Sequence, residues 1–170
     1  TAERISTTLA ELVDDVKVGQ TLLLNDGNIR MQVVETRPPD EIVCKIICGG
    51  LLSNGKGVNL PDTDLQLSSL TEKDRQDIDW IAARDFDYVA LSFVRTADDV
   101  RELRQLLTDR GCEAHIIAKI EKPQALKNIE AIIAEVDVIM VARGDLGVEM
   151  DLPSVPPAQK RIARLCQKAG

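Results

Sequence analysis

Three aliphatic runs, Tyr88–Phe93, His115–Ile120 and Val136–Ala142, punctuate the second part of the chain, and the segments between them place apolar residues at helical spacing. Strand and helix in repeated alternation predict parallel strands joined by crossover helices. The helical windows carry their own boundaries. Thr71 stands as N-cap before Glu72–Arg84, whose inner face is Ile78, Ile81 and Ala82. Thr96 caps the next helix, with Asp98 and Asp99 in its first turn, Val100, Leu103, Leu106 and Leu107 as its face, and Gly111 at its end. Pro123 opens a third helix with the face Leu126, Ile129, Ile132 and Ile133. After Pro156-Pro157 a last helix turns Ile162, Leu165 and Cys166 inward and stops at Gly170. Tyr88–Phe93 is expected to be buried on both faces. If Lys56–Leu60 adds one more strand, residues 61–170 hold about four βα units, half of the eight that close a (β/α)₈ barrel.

Residues 1–60 have a different texture. Leu22-Leu23-Leu24 runs into Asn25-Asp26-Gly27, a turn signal, after which Ile29, Met31 and Val33 alternate with polar residues. Glu41–Cys48 is another apolar run, closed by Gly49-Gly50, and Asn54-Gly55-Lys56-Gly57 is a loop. The expected fold is therefore α/β: a partial TIM (β/α)₈ barrel at 61–170, with a small all-β module at 1–60 on its N-terminal side.

With 44% hydrophobic residues in 170, the chain can bury a core, and so few aromatics make that core aliphatic. A net charge of −7 argues against a broad footprint for nucleic acid or anionic lipid, while leaving room for a small anionic substrate met by local cations. No run approaches the roughly 20 apolar residues of a membrane span, and no signal-peptide pattern opens the chain. The first residue is Thr1 rather than Met, so the sequence is expected to begin inside a longer polypeptide. Cys44, Cys48, Cys112 and Cys166 form no Cys-x-x-Cys pair; they are expected to be buried free thiols, consistent with a reducing cytosol, rather than a disulfide or metal set. Cys44 and Cys48, four apart in a strand, are expected on one face.

The residues with chemical potential fall where the aliphatic strands stop, and in a barrel that edge is where sites form. Three strand ends read Ser92-Phe93, Lys119-Ile120-Glu121 and Arg143-Gly144-Asp145. Lys119 and Glu121 project to one face, suited to a cation-bound phosphate: carboxylate to the metal, ammonium to the anionic oxygen. The same pair also fits a solvated salt bridge. Gly144 and Gly147 let backbone approach a ligand, and Asp145 offers a second hard oxygen, although Gly-Asp is equally common in plain turns. Taken together on neighbouring strands, Glu121 and Asp145 fit Mg²⁺ or Mn²⁺ completed by water and substrate oxygens. His115, the one histidine, starts its strand at the opposite end and reads as structural. The loop at Lys56-Gly57 lacks the spacing of a P-loop.

Two of these stretches are specific. "IIAKIEKPQALKN" (116–128) resembles the active-site signature of the pyruvate kinase family, and "IMVARGDLGVE" (139–149) resembles its metal-binding strand end. "KGVNLP" (56–61), "LTEKD" (70–74) and "LSFVR" (91–95) fit in order, and "LLLNDG" is similar to the family's B-domain hairpin, with Asn25 in place of the more usual acid. The resemblance runs over essentially the whole chain. It implies that 1–60 is the distal part of the B domain, a lid, and that 61–170 is part of the A-domain barrel. It implies Lys119 as the catalytic lysine stabilising the phosphoryl group and enolate, and Glu121 and Asp145 as ligands of Mg²⁺ or Mn²⁺. Ser92, Arg143, Gly144 and Asp145 would meet the substrate, and Lys56 the nucleotide.

The implied reaction is phosphoryl transfer from phosphoenolpyruvate to ADP, giving pyruvate and ATP in glycolysis. K⁺ is implied as a further cofactor, with ligands preceding Thr1, and the threonine segment tied to enolate protonation would follow Gly170. The parent is expected to be a cytoplasmic homotetramer with no nucleic-acid or membrane partner. The isolated chain is expected to be inactive. The alternatives are a metal-dependent pyruvate-enolate aldolase, against which the β module and "KGVNLP" speak, and a non-catalytic fragment.

Overall fold

The computed structural model describes residues 4–9, 12–63 and 69–170. The chain divides into two compact units, Thr1–Leu67 and Ser68–Gly170.

In the first unit a short helix α1 (Leu12–Asp15) precedes four strands: β1 (Thr21–Leu24), β2 (Ile29–Arg37), β3 (Glu41–Cys48) and β4 (Val58–Asn59). They form one sheet in the order β3-β2-β1-β4, with antiparallel pairing throughout. The β1–β2 hairpin turns where the sequence places it. Asn25, Asp26 and Gly27 are all left-handed (φ 53°, 55° and 80°), a conformation that Asn, Asp and Gly tolerate better than other residues. Leu12, Val16, Leu22, Leu24, Ile29, Val33 and Leu60 make its core.

Two expectations are corrected here. Lys56–Leu60 adds no strand to a parallel sheet; Val58 and Asn59 pair antiparallel with Leu24 and Leu23 of β1. Leu60 is buried in this unit's core, and the Asn25 N–H donates to the Gly57 carbonyl at 3.2 Å, so burial and backbone pairing both hold the segment here. The cysteines are free but not buried. Cys44, Cys112 and Cys166 are half-buried and Cys48 is exposed, because β3 is an edge strand whose last four residues are all exposed. Two register shifts in the β2–β3 ladder interrupt its regular pairing. Partial burial pushes the Cys44 thiol above its ordinary range.

The second unit runs α2 (Glu72–Ala82), β5 (Tyr88–Leu91), α3 (Ala97–Thr108), β6 (His115–Ile120), α4 (Pro123–Lys127), α5 (Ile129–Ile133), β7 (Val138–Val141), α6 (Arg143–Glu149), a 3₁₀ turn (Leu152–Ser154) and α7 (Val155–Ala169). The strands form a parallel sheet in the order β5-β6-β7. Thr71 and Thr96 each complete a capping box, with Asp74 and Asp99 respectively, and this is why both helices start where the sequence indicates. One face of the sheet, Val89, Leu91, Ile116, Ala118 and Ile120, packs on Ile78, Val100, Leu103, Leu107, Ile129, Ile132 and Ile162.

The opposite sheet face is less covered: Tyr88 is 55% exposed and Met140 43%. The expectation that Tyr88–Phe93 is buried on both faces therefore fails. Burial alternates along β5, since the helices of this unit pack on one side only, and the strand stops at Leu91. The helix expected after Pro123 is two short helices. Asn128 (φ −102°, ψ 10°) breaks it, and its Nδ2 donates to the Arg95 carbonyl at 2.9 Å, a tertiary bond that outweighs one more helical turn.

At the end of the sheet where β6 and β7 begin, Asp137 joins the two strands. Its Oδ2 accepts from the Ile116 N–H at 2.8 Å and from Arg104 at 3.0 Å, and His115 Nδ1 lies 3.4 Å from Oδ1. Burial alone would raise its pKa, but the Ile116 amide, the Arg104 guanidinium and His115 outweigh it and hold the carboxyl below its ordinary value. A depressed folded-state pKa contributes stability above the unfolded-state value, lost as pH falls through the folded-state value. Asp137→Asn should therefore cost about 1–2 kcal/mol near neutrality. It should also flatten the acid limb of stability below about pH 4 in urea unfolding measured across pH; an acid limb identical to the parent's would contradict this role.

Candidate active site

The parallel register brings the residues following β5, β6 and β7 to one edge of the sheet, the C-terminal one. At the end of β6, Lys119 Nζ lies 2.7 Å from Glu121 Oε1 and donates to Ser92 Oγ at 2.9 Å. The Glu121 side chain is 2% exposed and that of Lys119 26%. The second oxygen, Oε2, accepts from the Phe93 N–H at 2.8 Å. The sequence places Lys119 and Glu121 on one face, and the structure adds Ser92 to the same cluster.

Phe93 is named in the sequence only as part of a strand end, and the role of its backbone amide was missed. Its φ is +56°, rare for a residue with a bulky side chain, and the residue is 53% exposed. The next residue, Val94, is fully buried in the core of this unit. Backbone strain here goes with an amide that donates to a buried carboxylate. Nothing in the local sequence marks it, because the requirement comes from Glu121 on another strand.

The third strand end joins through the backbone. The Ala142 N–H donates to the Ile120 carbonyl at 3.2 Å, so β7 leaves the sheet beside Glu121, and α6 begins at once with Arg143, Gly144 and Asp145. All three are exposed, and a Cβ built on Gly144 would meet no atom within 4 Å beyond its chain neighbours and its own helix backbone. Leu146 and Glu149 are the buried residues of α6. Glu149 pairs through Oε1 with Lys122 Nζ, with side chains 1% and 15% exposed. That buried pair was also missed, although a glutamate three residues after an inward leucine on a short helix is a signal that its carboxylate faces inward and needs a cation. Lys56 is exposed in a loop of the first unit.

A family model for the pyruvate kinase barrel domain matches residues 1–170, and the chain belongs to the pyruvate kinase family. It is similar to the pyruvate kinase of Geobacillus stearothermophilus, 45% identical over 177 residues covering 100% of this chain and 29% of that protein. The pyruvate kinase of Methanocaldococcus jannaschii is 42% identical over 158 residues, covering 93% of this chain and 35% of that protein. That of Corynebacterium glutamicum is 39% identical over 168 residues, covering 99% and 35%. The chain thus spans about a third of the length of the curated relatives it matches. No helix among the described residues is long and apolar enough to cross a membrane.

The family implies a divalent cation, and the side chains present fit one in kind. Among the described residues Glu121 has one donor on each oxygen, short of the roughly four lone-pair positions of a carboxylate. Asp145 is exposed on the neighbouring strand end. Among the described residues no group of three or more His, Cys, Asp or Glu converges. Mg²⁺ suits such a set, since it is bound through one or two carboxylates and keeps water and substrate oxygens.

Lys119→Met would deprive the buried Glu121 carboxylate of one of its two described donors. The expected loss is about 2–4 kcal/mol in urea unfolding, largely recovered on adding Glu121→Gln. Additive effects of the two changes would show that the groups are not coupled.

Proposed function

We propose that the intact protein transfers the phosphoryl group of phosphoenolpyruvate to ADP, giving pyruvate and ATP, and that the strand ends of the second unit are the phosphate- and cation-handling part of its active site. The observation that carries this is the cluster of Lys119, Glu121 and Ser92: an ammonium on a buried carboxylate at the C-terminal edge of a parallel sheet, in a chain of this family.

In this reading Glu121 and Asp145 hold Mg²⁺ or Mn²⁺. When bound, the cation supplies positive charge against the phosphoryl and enolate oxygens. Lys119 Nζ donates to the phosphoryl group in transit and to the developing enolate oxygen. Phosphoryl transfer asks mainly for positioning and charge stabilisation, and a held ammonium provides both. Ser92 Oγ, which accepts from Nζ, orients that ammonium and lines the substrate position. Arg143, Gly144 and Asp145 receive the substrate carboxylate, and Gly144 leaves open the space that a side chain would take. Lys56 meets the nucleotide.

Residues 1–60 are the distal part of the lid domain and 61–170 part of the (β/α)₈ barrel of a cytoplasmic homotetramer that also uses K⁺. The 170-residue polypeptide by itself should show negligible turnover. Among the described residues its parallel sheet has three strands, with β5 and β7 at the edges, and its site face is half-covered.

The reading is tested in the intact protein. Glu121→Gln and Asp145→Asn should each weaken Mn²⁺ binding at least tenfold by electron paramagnetic resonance titration. Lys119→Met should lower kcat at least a thousandfold, with a smaller change in Mn²⁺ affinity. Gly144→Ala should raise KM for phosphoenolpyruvate while leaving the thermal midpoint in place. Unchanged Mn²⁺ affinity in both carboxylate variants would remove the cation assignment.

A further inference from the structure

We infer that the buried Lys122–Glu149 ion pair is a positioning device that fixes α6, and with it Asp145, against the strand end that carries Glu121. This rests on the reading of Glu121 and Asp145 as cation ligands. Lys122 is the residue after Glu121. Glu149 stands four residues after Asp145, one turn further along α6 and on nearly the same side of the helix. The ligand pair and the ion pair are therefore consecutive rungs between the same two segments.

The segments are joined at two levels. At the start of α6 the Ala142 N–H bonds the Ile120 carbonyl at 3.2 Å. At its end Lys122 Nζ holds Glu149 Oε1, with the Glu149 side chain 1% exposed. A seven-residue helix has little hold of its own, since isolated short helices are marginal. Leu146, fully buried, sets the inward face of α6 but not its slide or roll along that face. A charged pair, directional and 15% and 1% exposed, supplies what an apolar contact does not: one register.

Two exposed or loosely held carboxylates would each find a cation position by side-chain rotation. Here Glu121 is fixed by Lys119 and Phe93, so the position of Asp145 decides whether both oxygens reach one ion. Cation affinity should then depend on the ion pair, although neither Lys122 nor Glu149 is assigned as a ligand.

The test replaces the pair by residues of similar volume, Lys122→Met/Glu149→Met, in the intact protein, since an apolar swap of a buried ion pair commonly preserves stability. Mn²⁺ dissociation constants are measured by electron paramagnetic resonance beside thermal midpoints. The expected result is Mn²⁺ binding at least tenfold weaker with a midpoint within a few degrees of the parent's, whereas Glu149→Gln, which still offers Lys122 an acceptor, stays within threefold. Binding within twofold of the parent in the double variant overturns the inference, and so does an equal loss in Glu149→Gln and the double variant. Lys122→Gln serves, with the same two outcomes, if the double variant does not fold. Glu121→Gln and Asp145→Asn run in the same titration: if they weaken binding and the double variant does not, the positioning role alone fails. If neither weakens it, the ligand assignment has failed first.

Discussion

A carboxylate side chain that is 2% exposed has lost nearly all contact with water, and its charge survives burial only if protein donors replace the solvent. Glu121 has such donors, the Lys119 ammonium on one oxygen and the Phe93 amide on the other. The Phe93 donation goes with backbone turned to a positive φ directly after Ser92, whose hydroxyl meets the same ammonium. The end of β5, the end of β6 and the turn between β5 and α3 are tied to this one buried charge.

The sheet that carries it is unequal by design of its burial. Helices seal the face formed by Val89, Leu91, Ile116, Ala118 and Ile120, and the face carrying Lys119 is only half-covered. Lys119 therefore has a wet path for its head group and a packed sheet beneath it. The two ends of the strands divide their tasks. Asp137, Arg104 and His115 join β6 to β7 where those strands begin, and the groups suited to chemistry gather where they end. The Asp137 cluster has only a structural task, whereas the Lys119–Glu121 pair at the other end serves the stability of the strand end as well as its chemical potential.

Family membership and this geometry bear on each other through particular residues. A family match covering residues 1–170 speaks to descent, and it leaves open what each side chain does. The contact of Lys119 with Glu121 and Ser92 is the local fact with chemical content. Asp145 is exposed near the start of a short helix whose far end is held by the Lys122–Glu149 ion pair, so the position of that helix sets where its carboxylate lies.

Strand runs, helix faces, the Thr71 and Thr96 caps, the Asn25-Asp26-Gly27 turn and the facing of Lys119 and Glu121 were all legible in the order of residues. Each depends on periodicity or hydrogen bonds within a few positions, the range over which the chain determines its own shape. The pairing of Val58–Asn59 with β1, the break at Asn128, the positive φ of Phe93 and the burial of Glu149 on Lys122 were decided only in three dimensions. The Phe93–Glu121 bond joins residues 28 apart in sequence, the Lys122–Glu149 pair residues 27 apart, and the Asn128–Arg95 bond residues 33 apart. A buried charge takes whichever partner the fold delivers, and no local pattern names that partner in advance.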